Sequence, residues 1–235
     1  LDQHKQTTNQ KYFDQLVTAG AQVKWSSPQF TYAHAKFIVV DGKTALISTG
    51  NFSKSYSIEL ERNFVATDQD PADVADLVQL FAADWEGQPL TMACTRLVVS
   101  PINARERILA VIAGAQATLE IESMQFADPA VRDAVAARVA AGVQVRVLLA
   151  DAGWIDANAA AATFLGNLGV PVKWIPHLHT KAIVADGTTA YVGSENLSFT
   201  SLDKNREVGL VLVEAPSIAP LQATFEQDWA VGTSF

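Results

Sequence analysis

Two sets of residues repeat one pattern: His34, Lys36 and Asp41, then His179, Lys181 and Asp186, each reading His-x-Lys-x4-Asp. Alternate side chains of extended backbone share a face, so the imidazole and the ammonium of each set point into the same space. An imidazole can attack or carry a proton near neutral pH, and an ammonium beside it can hold a phosphate oxygen. Asn51 and Asn196 open the turn that follows each set, where an amide NH2 could donate to the same oxygens. Brought face to face, two imidazoles, two ammonium groups and two amides form a toolkit for displacement at a phosphodiester. Neither a metal nor another cofactor is called for, because an ammonium placed two residues from each histidine opposes a bound cation.

The elements around these residues are duplicated as well, which matters for every later assignment. Gly20 to Trp25 (GAQVKW) recurs as Gly169 to Trp174 (GVPVKW), Asn51-Phe52-Ser53 answers Asn196-Leu197-Ser198, and each copy closes on Phe-x-x-Asp-Trp, at Phe81 to Trp85 and Phe225 to Trp229. In the second copy, apolar periodicity predicts strands over 95–100, 118–123, 143–149 and 170–174, and helices over 104–113, 129–141 and 159–168, the last with Asn158 as its N-cap and Gly169 as its stop. Residues 181–185 and 190–193 read as a hairpin turning at Asp186-Gly187, followed by a strand over 208–213 and a helix over 218–228. Such alternation implies a sheet covered on both faces.

The first copy is shorter. Leu1-Asp2 aligns with Ala150-Asp151, so the β-α-β-α-β stretch of the second copy has no mate within the 235 residues. A sheet without it leaves an edge and an apolar face open, and a companion N-terminal polypeptide or preceding segment of roughly 50 to 60 residues is expected to complete the first half. Residues 1–92 then form the C-terminal part of that half and 93–235 the complete second half.

At the His-x-Lys-x4-Asp residues the chain resembles the phospholipase D superfamily, whose motif continues into a Gly/Ser-rich stretch and an Asn. The second copy fits throughout, with His179, Lys181, Asp186, Gly193-Ser194-x-Asn196 and Asn205-Arg206-Glu207; the first departs, with Ser48-Thr49-Gly50-Asn51 and Glu61-Arg62-Asn63. The resemblance implies an α/β fold of two pseudo-twofold-related α/β sandwich halves with the active site at their interface. It also implies His34 as nucleophile, His179 as general acid, Lys36 and Lys181 as catalytic cations, and Asn51, Asn196 and Ser194 as substrate-binding groups. Glu207 is the expected orienting carboxylate for one histidine, although sequence does not say which. Asp41 and Asp186 are further orienting candidates, yet each precedes a Gly in a hairpin, where Asp serves the turn. Lys24 and Lys173 between Val and Trp read as solvated faces, Trp85 and Trp229 as core or interface anchors, and His177 as either a polar cleft residue or an exposed loop histidine.

Composition narrows the function classes. A net charge of −8 disfavours a sequence-independent grip on a polyphosphate backbone. One cysteine, Cys94, excludes an internal disulfide and a thiolate metal site. No apolar run approaches the roughly 18 to 20 residues that span a bilayer. The leading expectation is a phosphodiesterase or transphosphatidylase acting on phospholipids through a phosphohistidine. A metal-independent nuclease with the same motifs and a non-catalytic scaffold with the same fold are the alternatives.

Overall fold

The computed structural model describes residues 1–92 and 96–235, so Cys94 and the expected strand start at Thr95 lie outside the described residues. In chain order the first part holds α1 (Gln6–Thr18), β1 (Phe37–Val40), β2 (Thr44–Ser48), a π-helical turn (Lys54–Ile58), β3 (Val65–Asp68) and α2 (Pro71–Glu86). There follow β4 (Leu97–Ser100), α3 (Ala104–Gly114), β5 (Thr118–Ser123), α4 (Pro129–Ala140), β6 (Gln144–Ala150), α5 (Ala157–Asn167) and β7 (Val172–Ile175). The chain ends with β8 (Lys181–Ala185), β9 (Thr189–Gly193), α6 (Phe199–Asp203), β10 (Glu207–Leu212), α7 (Ala215–Val231) and β11 (Thr233–Ser234).

β1, β2 and β3 form a small antiparallel sheet, and the others form an eight-stranded sheet in the order β11-β7-β6-β5-β8-β9-β10-β4. The β5-β6 and β6-β7 pairings are parallel, as expected of strands joined by the crossover helices α4 and α5. One face of the large sheet is covered by α3, α4 and α5 through Ile108, Ile112, Val131, Val135, Ala162 and Leu165. Its other face meets the small sheet: Ile47 of β2, Leu77 and Leu80 of α2, and Ile218 and Leu221 of α7 pack with Val192, Val208 and Leu210 in one core that both halves share.

The repeat explains what is buried and what is not. β8 is buried along its length, with Ile183 and Ala185 under α3 and β5 at its edge. In β1 the matching Ile38 and Val40 are exposed and the strand has only β2 beside it. The two hairpins have the same turn: Asp41 and Gly42 stand at φ +54° and +62°, Asp186 and Gly187 at +54° and +65°, the left-handed pair that a tight two-residue turn requires. The second hairpin is further tied down, since the Asp186 carboxylate accepts the backbone N–H groups of Gln116, Ala117 and Thr118 at 2.7 to 2.8 Å.

Helix limits follow local chemistry. Asp70 and Asp128 cap α2 and α4 by accepting N–H groups of the first turn, each followed by a Pro at the position where no N–H is needed. α5 departs from expectation: it starts two residues earlier than predicted, and Asn158 is not its cap. The side chain of Asn158 turns into the core, donating to the carbonyls of Met124 and Ala150 at 2.8 and 2.9 Å and accepting the Phe126 N–H at 3.0 Å. It thereby joins the ends of β5 and β6. Asn158→Ala should strand these buried groups and lower unfolding stability by about 2 to 5 kcal/mol, read from urea denaturation. A loss below about 1 kcal/mol would contradict it. Among the described residues no helix is long and apolar enough to cross a membrane.

Candidate active site

His34 and His179 lie just before β1 and β8, and each is threaded through the opposite half by the backbone. The His34 N–H donates to the Arg206 carbonyl at 2.8 Å, and the His179 N–H donates to the Arg62 carbonyl at 3.1 Å. Arg62 and Arg206 are themselves repeat mates, and each reaches across to the aspartate of the other half's Phe-x-x-Asp-Trp: Arg62 to Asp228 through two bonds of 2.8 Å, Arg206 to Asp84 at 2.9 Å. The closing helices α2 and α7 thus brace the strands that deliver the histidines.

Each imidazole is held by a residue of the other half. His34 Nδ1 lies 2.7 Å from Glu207 Oε2, so Glu207 crosses to His34 and not to His179. Glu207 is fully buried and also accepts the hydroxyls of Ser194 at 2.7 Å and Ser201 at 2.6 Å and the amide of Asn205 at 2.9 Å. The repeat mate of Glu207 is Asn63, and its Oδ1 lies 3.0 Å from His179 Nδ1. The supports are mated too: Thr49 donates to Asn63 at 3.0 Å and accepts the Phe64 N–H at 2.9 Å, as Ser194 donates to Glu207 and accepts the Val208 N–H at 3.1 Å.

Three glycines make room for buried or half-buried polar side chains. A Cβ on Gly50 would collide with the side-chain atoms of Asn63. Gly193 and Gly209 face each other across β9 and β10, where a Cβ on Gly193 would come within 2.6 Å of Tyr191 Oη and Glu195 Oε2.

The lysines are buried beneath the histidines. Lys36 Nζ donates to the His34 carbonyl, and Lys181 Nζ donates to the His179 carbonyl at 2.6 Å and lies 3.4 Å from the Thr49 carbonyl. Burial lowers the Lys36 pKa to about 8, against the pull of Glu207 and Glu195. Lys181 is driven well below its ordinary value by burial and by the charge of Lys36. Burial, then Lys181, Lys36 and His34, take His179 down to about 2. His34 is also lowered, by burial first, with Glu207 pulling the other way. Burial pushes Glu207 up, but His34, Lys36 and Ser201 outweigh it and hold the carboxyl below its usual range. The site thus gathers two imidazoles and two buried lysines, with Glu207 as the carboxylate hydrogen-bonded to His34 and Glu61 3.8 Å from His179.

Other expected residues divide. Ser194 does not face a ligand: it is fully buried and its hydroxyl is spent on Glu207 and Val208. Asp186 orients no histidine, because its carboxylate is occupied by the amides that start β5; those amides, Thr118 first, hold its pKa low. Asp41 is exposed at its turn. Asn51 is exposed at the start of its turn, and Asn196 is half-buried with an Oδ1 that has no described partner. His177 is an exposed loop residue at φ +55°, 6.0 Å from the Trp154 ring.

Lys24 and Lys173 are not free solvated residues. Lys24 Nζ donates to the Trp85 carbonyl at 2.7 Å and lies 4.8 Å from its ring, and Lys173 does the same to Trp229 at 2.6 and 5.0 Å. Both tryptophans are half-buried and clasp these lysines, and Trp229 also packs against the buried cluster of Leu148, Ala150, Ile175, Leu178 and Phe225 as expected of a core anchor. Val23 to Trp25 forms no strand, having no neighbour such as β6 or β11 to pair with.

Asn63, Thr49, Ser201 and Trp154 were not singled out from sequence. Aligning the repeats with a one-residue gap between the Asn turn and the following Arg puts Thr49 opposite Ser194 and Asn63 opposite Glu207, so the signal for those two was present. Trp154, 6.3 Å from the His179 ring, stands opposite Lys5 in the repeat, so comparing the copies gave no signal for it.

One His-Lys pair from each copy of the repeat stands at the junction of the two parts, close enough for His34 and Lys36 to act on His179. The chain belongs to the phospholipase D superfamily: the family model described as cardiolipin synthase, PLD-like domain, matches residues 2–85 and 108–229. It is 24% identical over 235 residues to the probable cardiolipin synthase YwiE of Bacillus subtilis (strain 168), covering 83% of this chain and 45% of that protein. It is 29% identical over 232 residues to cardiolipin synthase A of Pseudomonas aeruginosa, covering 86% and 47%. The chain thus spans about half the length of these curated relatives. Among solved structures, the phosphatidylserine synthase of Haemophilus influenzae Rd KW20 superposes with a TM-score of 0.73 at 14% identity, over 100% of this chain and 74% of that one, a likeness of fold.

Proposed function

We propose that the site cleaves or exchanges the phosphodiester of a phospholipid through a phosphohistidine on His34. The observation that carries this reading is the cross-half pairing of His34 Nδ1 with Glu207, which leaves His34 Nε2 without a partner among the described residues, while the other histidine meets an amide at 3.0 Å and a carboxylate, Glu61, only at 3.8 Å. His34 Nε2 attacks phosphorus; as the N–P bond forms, the P–O bond to the leaving alcohol breaks and that oxygen takes a proton from His179 Nε2. His179 then accepts a proton from water or an acceptor alcohol, whose oxygen attacks phosphorus and returns the N–P electron pair to His34. The negative charge of a bound phosphodiester offsets Lys36 and Lys181, which restores the affinity of His179 for the proton it must deliver. The two ammonium groups hold the equatorial oxygens in both steps, and Asn51 and Asn196 serve the same oxygens from the turn ends.

A lipid substrate is favoured over nucleic acid by the acidic charge balance and by the rim. Phe52, Tyr56, Ile58 and Phe199, on the turns that follow Asn51 and Asn196, are exposed, as is Trp154 beside His179, and Ile58 reaches 74% exposure. Such side chains suit acyl chains at an interface. The cardiolipin synthases among its relatives point the same way.

The test is turnover in EDTA of phosphatidylglycerol and phosphatidylcholine vesicles beside single-stranded and duplex DNA. Lipid cleavage or headgroup exchange at full rate in EDTA is expected. DNA cleavage without lipid turnover would overturn the substrate class, and activity restored only by a divalent cation would overturn the metal-free step.

A further inference from the structure

The repeat makes the two histidines equivalent in backbone and unequal in partner, and this inequality has a structural cause. Asn63 occupies the place of Glu207 in the other half, and its amide is locked in one orientation. Nδ2 donates to the Ser57 carbonyl at 3.0 Å and to Glu61 Oε2 at 3.3 Å, both acceptors, while Oδ1 takes the Thr49 hydroxyl at 3.0 Å. Oδ1 therefore faces His179 Nδ1 as an acceptor. Lys181 Nζ lies 3.3 Å from Nδ1 and 3.5 Å from Nε2, so it does not select between the ring nitrogens, and its short bond of 2.6 Å goes to the His179 carbonyl. A carboxylate is still nearby: Glu61 Oε2 lies 3.8 Å from His179 Nδ1 and is bonded to Ser57 at 3.0 Å as well as to Asn63. The amide has been inserted where the other half has the charge, and the charge has been moved one layer back.

We infer that Asn63 is a positioning residue that fixes His179 with its proton on Nδ1 while withholding a negative charge, so that His179 serves as the proton carrier and the carboxylate-backed His34 as the nucleophile. An imidazolium whose Nδ1–H meets an amide oxygen is less stabilised than one that meets a carboxylate, and it surrenders its Nε2 proton to a leaving alkoxide more readily. The charged groups facing His179 are Lys181 on its own strand, Lys36 and His34 from the first half, and Glu61 behind Asn63. All but Glu61 oppose its protonation, which makes the identity of the group at position 63 decisive. This inference rests on the phosphodiesterase reading for its catalytic meaning, but the tautomer is measurable without turnover.

The experiment follows the ring nitrogens of isotope-labelled histidine by NMR, with His179 assigned by its absence in His179→Gln, together with turnover of two diesters that differ in leaving group. In the wild-type protein His179 is expected to carry its neutral proton on Nδ1; Asn63→Ala should populate both tautomers. Asn63→Asp, combined with Glu61→Gln to avoid two adjacent carboxylates, should shift the His179 titration upward by about one pH unit and leave that of His34 in place. Turnover of a diester with an alkyl leaving group should fall about 10- to 100-fold in Asn63→Ala, while a p-nitrophenyl diester, whose departure needs little protonation, should stay within about threefold. A proton on Nε2 in the wild-type protein, an unchanged tautomer in Asn63→Ala, or equal losses on both diesters would overturn the assignment. If the alanine variant does not fold, the double variant's titration decides alone. Absence of any diester turnover by the wild-type protein, with the NMR outcomes as expected, counts against the phosphodiesterase reading and leaves the positioning of His179 by Asn63 standing.

Discussion

His34→Ala is expected to lose all covalent labelling by a p-nitrophenyl phosphodiester, whereas His179→Ala is expected to retain an acid-labile phosphoryl adduct. Both variants should lose phospholipid turnover, by on the order of 10⁴-fold or more for the nucleophile and about 10² to 10⁴-fold for the proton carrier. The difference lies in which bond each residue makes. Without the His34 imidazole no N–P bond can form. Without His179 the bond still forms when the leaving phenolate needs no proton, and the adduct then accumulates because nothing activates water for the second step. The side-chain exposures agree with this division, since His34 is 28% exposed and His179 is 6% exposed, so the attacking nitrogen is the more open of the two. Mass spectrometry of the intact protein after mixing separates the outcomes, and an adduct in His34→Ala with none in His179→Ala would exchange the roles.

Replacing Glu207 with Gln should slow adduct formation by on the order of 10³-fold without unfolding the chain. The carboxylate accepts from His34, Ser194, Ser201 and Asn205, and an amide in its place brings an NH2 that must face one of these donors. The charge that steadies His34 as it becomes positively charged through its bond to phosphorus is lost as well. Because the Glu207 pKa is held below its unfolded value, the carboxylate stabilises the fold above the ordinary carboxyl range, and that contribution disappears as pH falls through the folded value. Thermal unfolding from neutral to acid pH should therefore show a shallower decline in Glu207→Gln than in the wild-type protein. Stopped-flow measurement of p-nitrophenol release gives the rate of the first step, and a loss below tenfold would show that Glu207 does not back the nucleophile.

Residue by residue, the repeat of His34-Lys36 as His179-Lys181 and most elements of the second half were legible in the sequence. A strand that alternates, a helix bounded by Asp-Pro and Gly, and a turn at Asp-Gly are each set by interactions within a few residues, so β5, α4 and the β8-β9 hairpin are legible locally. The duplication likewise needed only comparison of the chain with itself, and it led to the superfamily. What only the tertiary structure decided are the pairings that cross between halves. Glu207 is separated from His34 by 173 residues and Asn63 from His179 by 116, distances over which no local periodicity carries information. The same holds for Asn158, which looks like a cap when read with its neighbours and proves to be a core bracket because β5 and β6 happen to end beside it. Ser194 and Asp186 have the residue types of ligand-binding groups, yet the buried Ser194 hydroxyl is bonded to Glu207 and the half-exposed Asp186 carboxylate to the amides leading into β5. A polar side chain's function depends on which of its hydrogen bonds the fold leaves unmade, and that remainder exists only once the two halves are packed together.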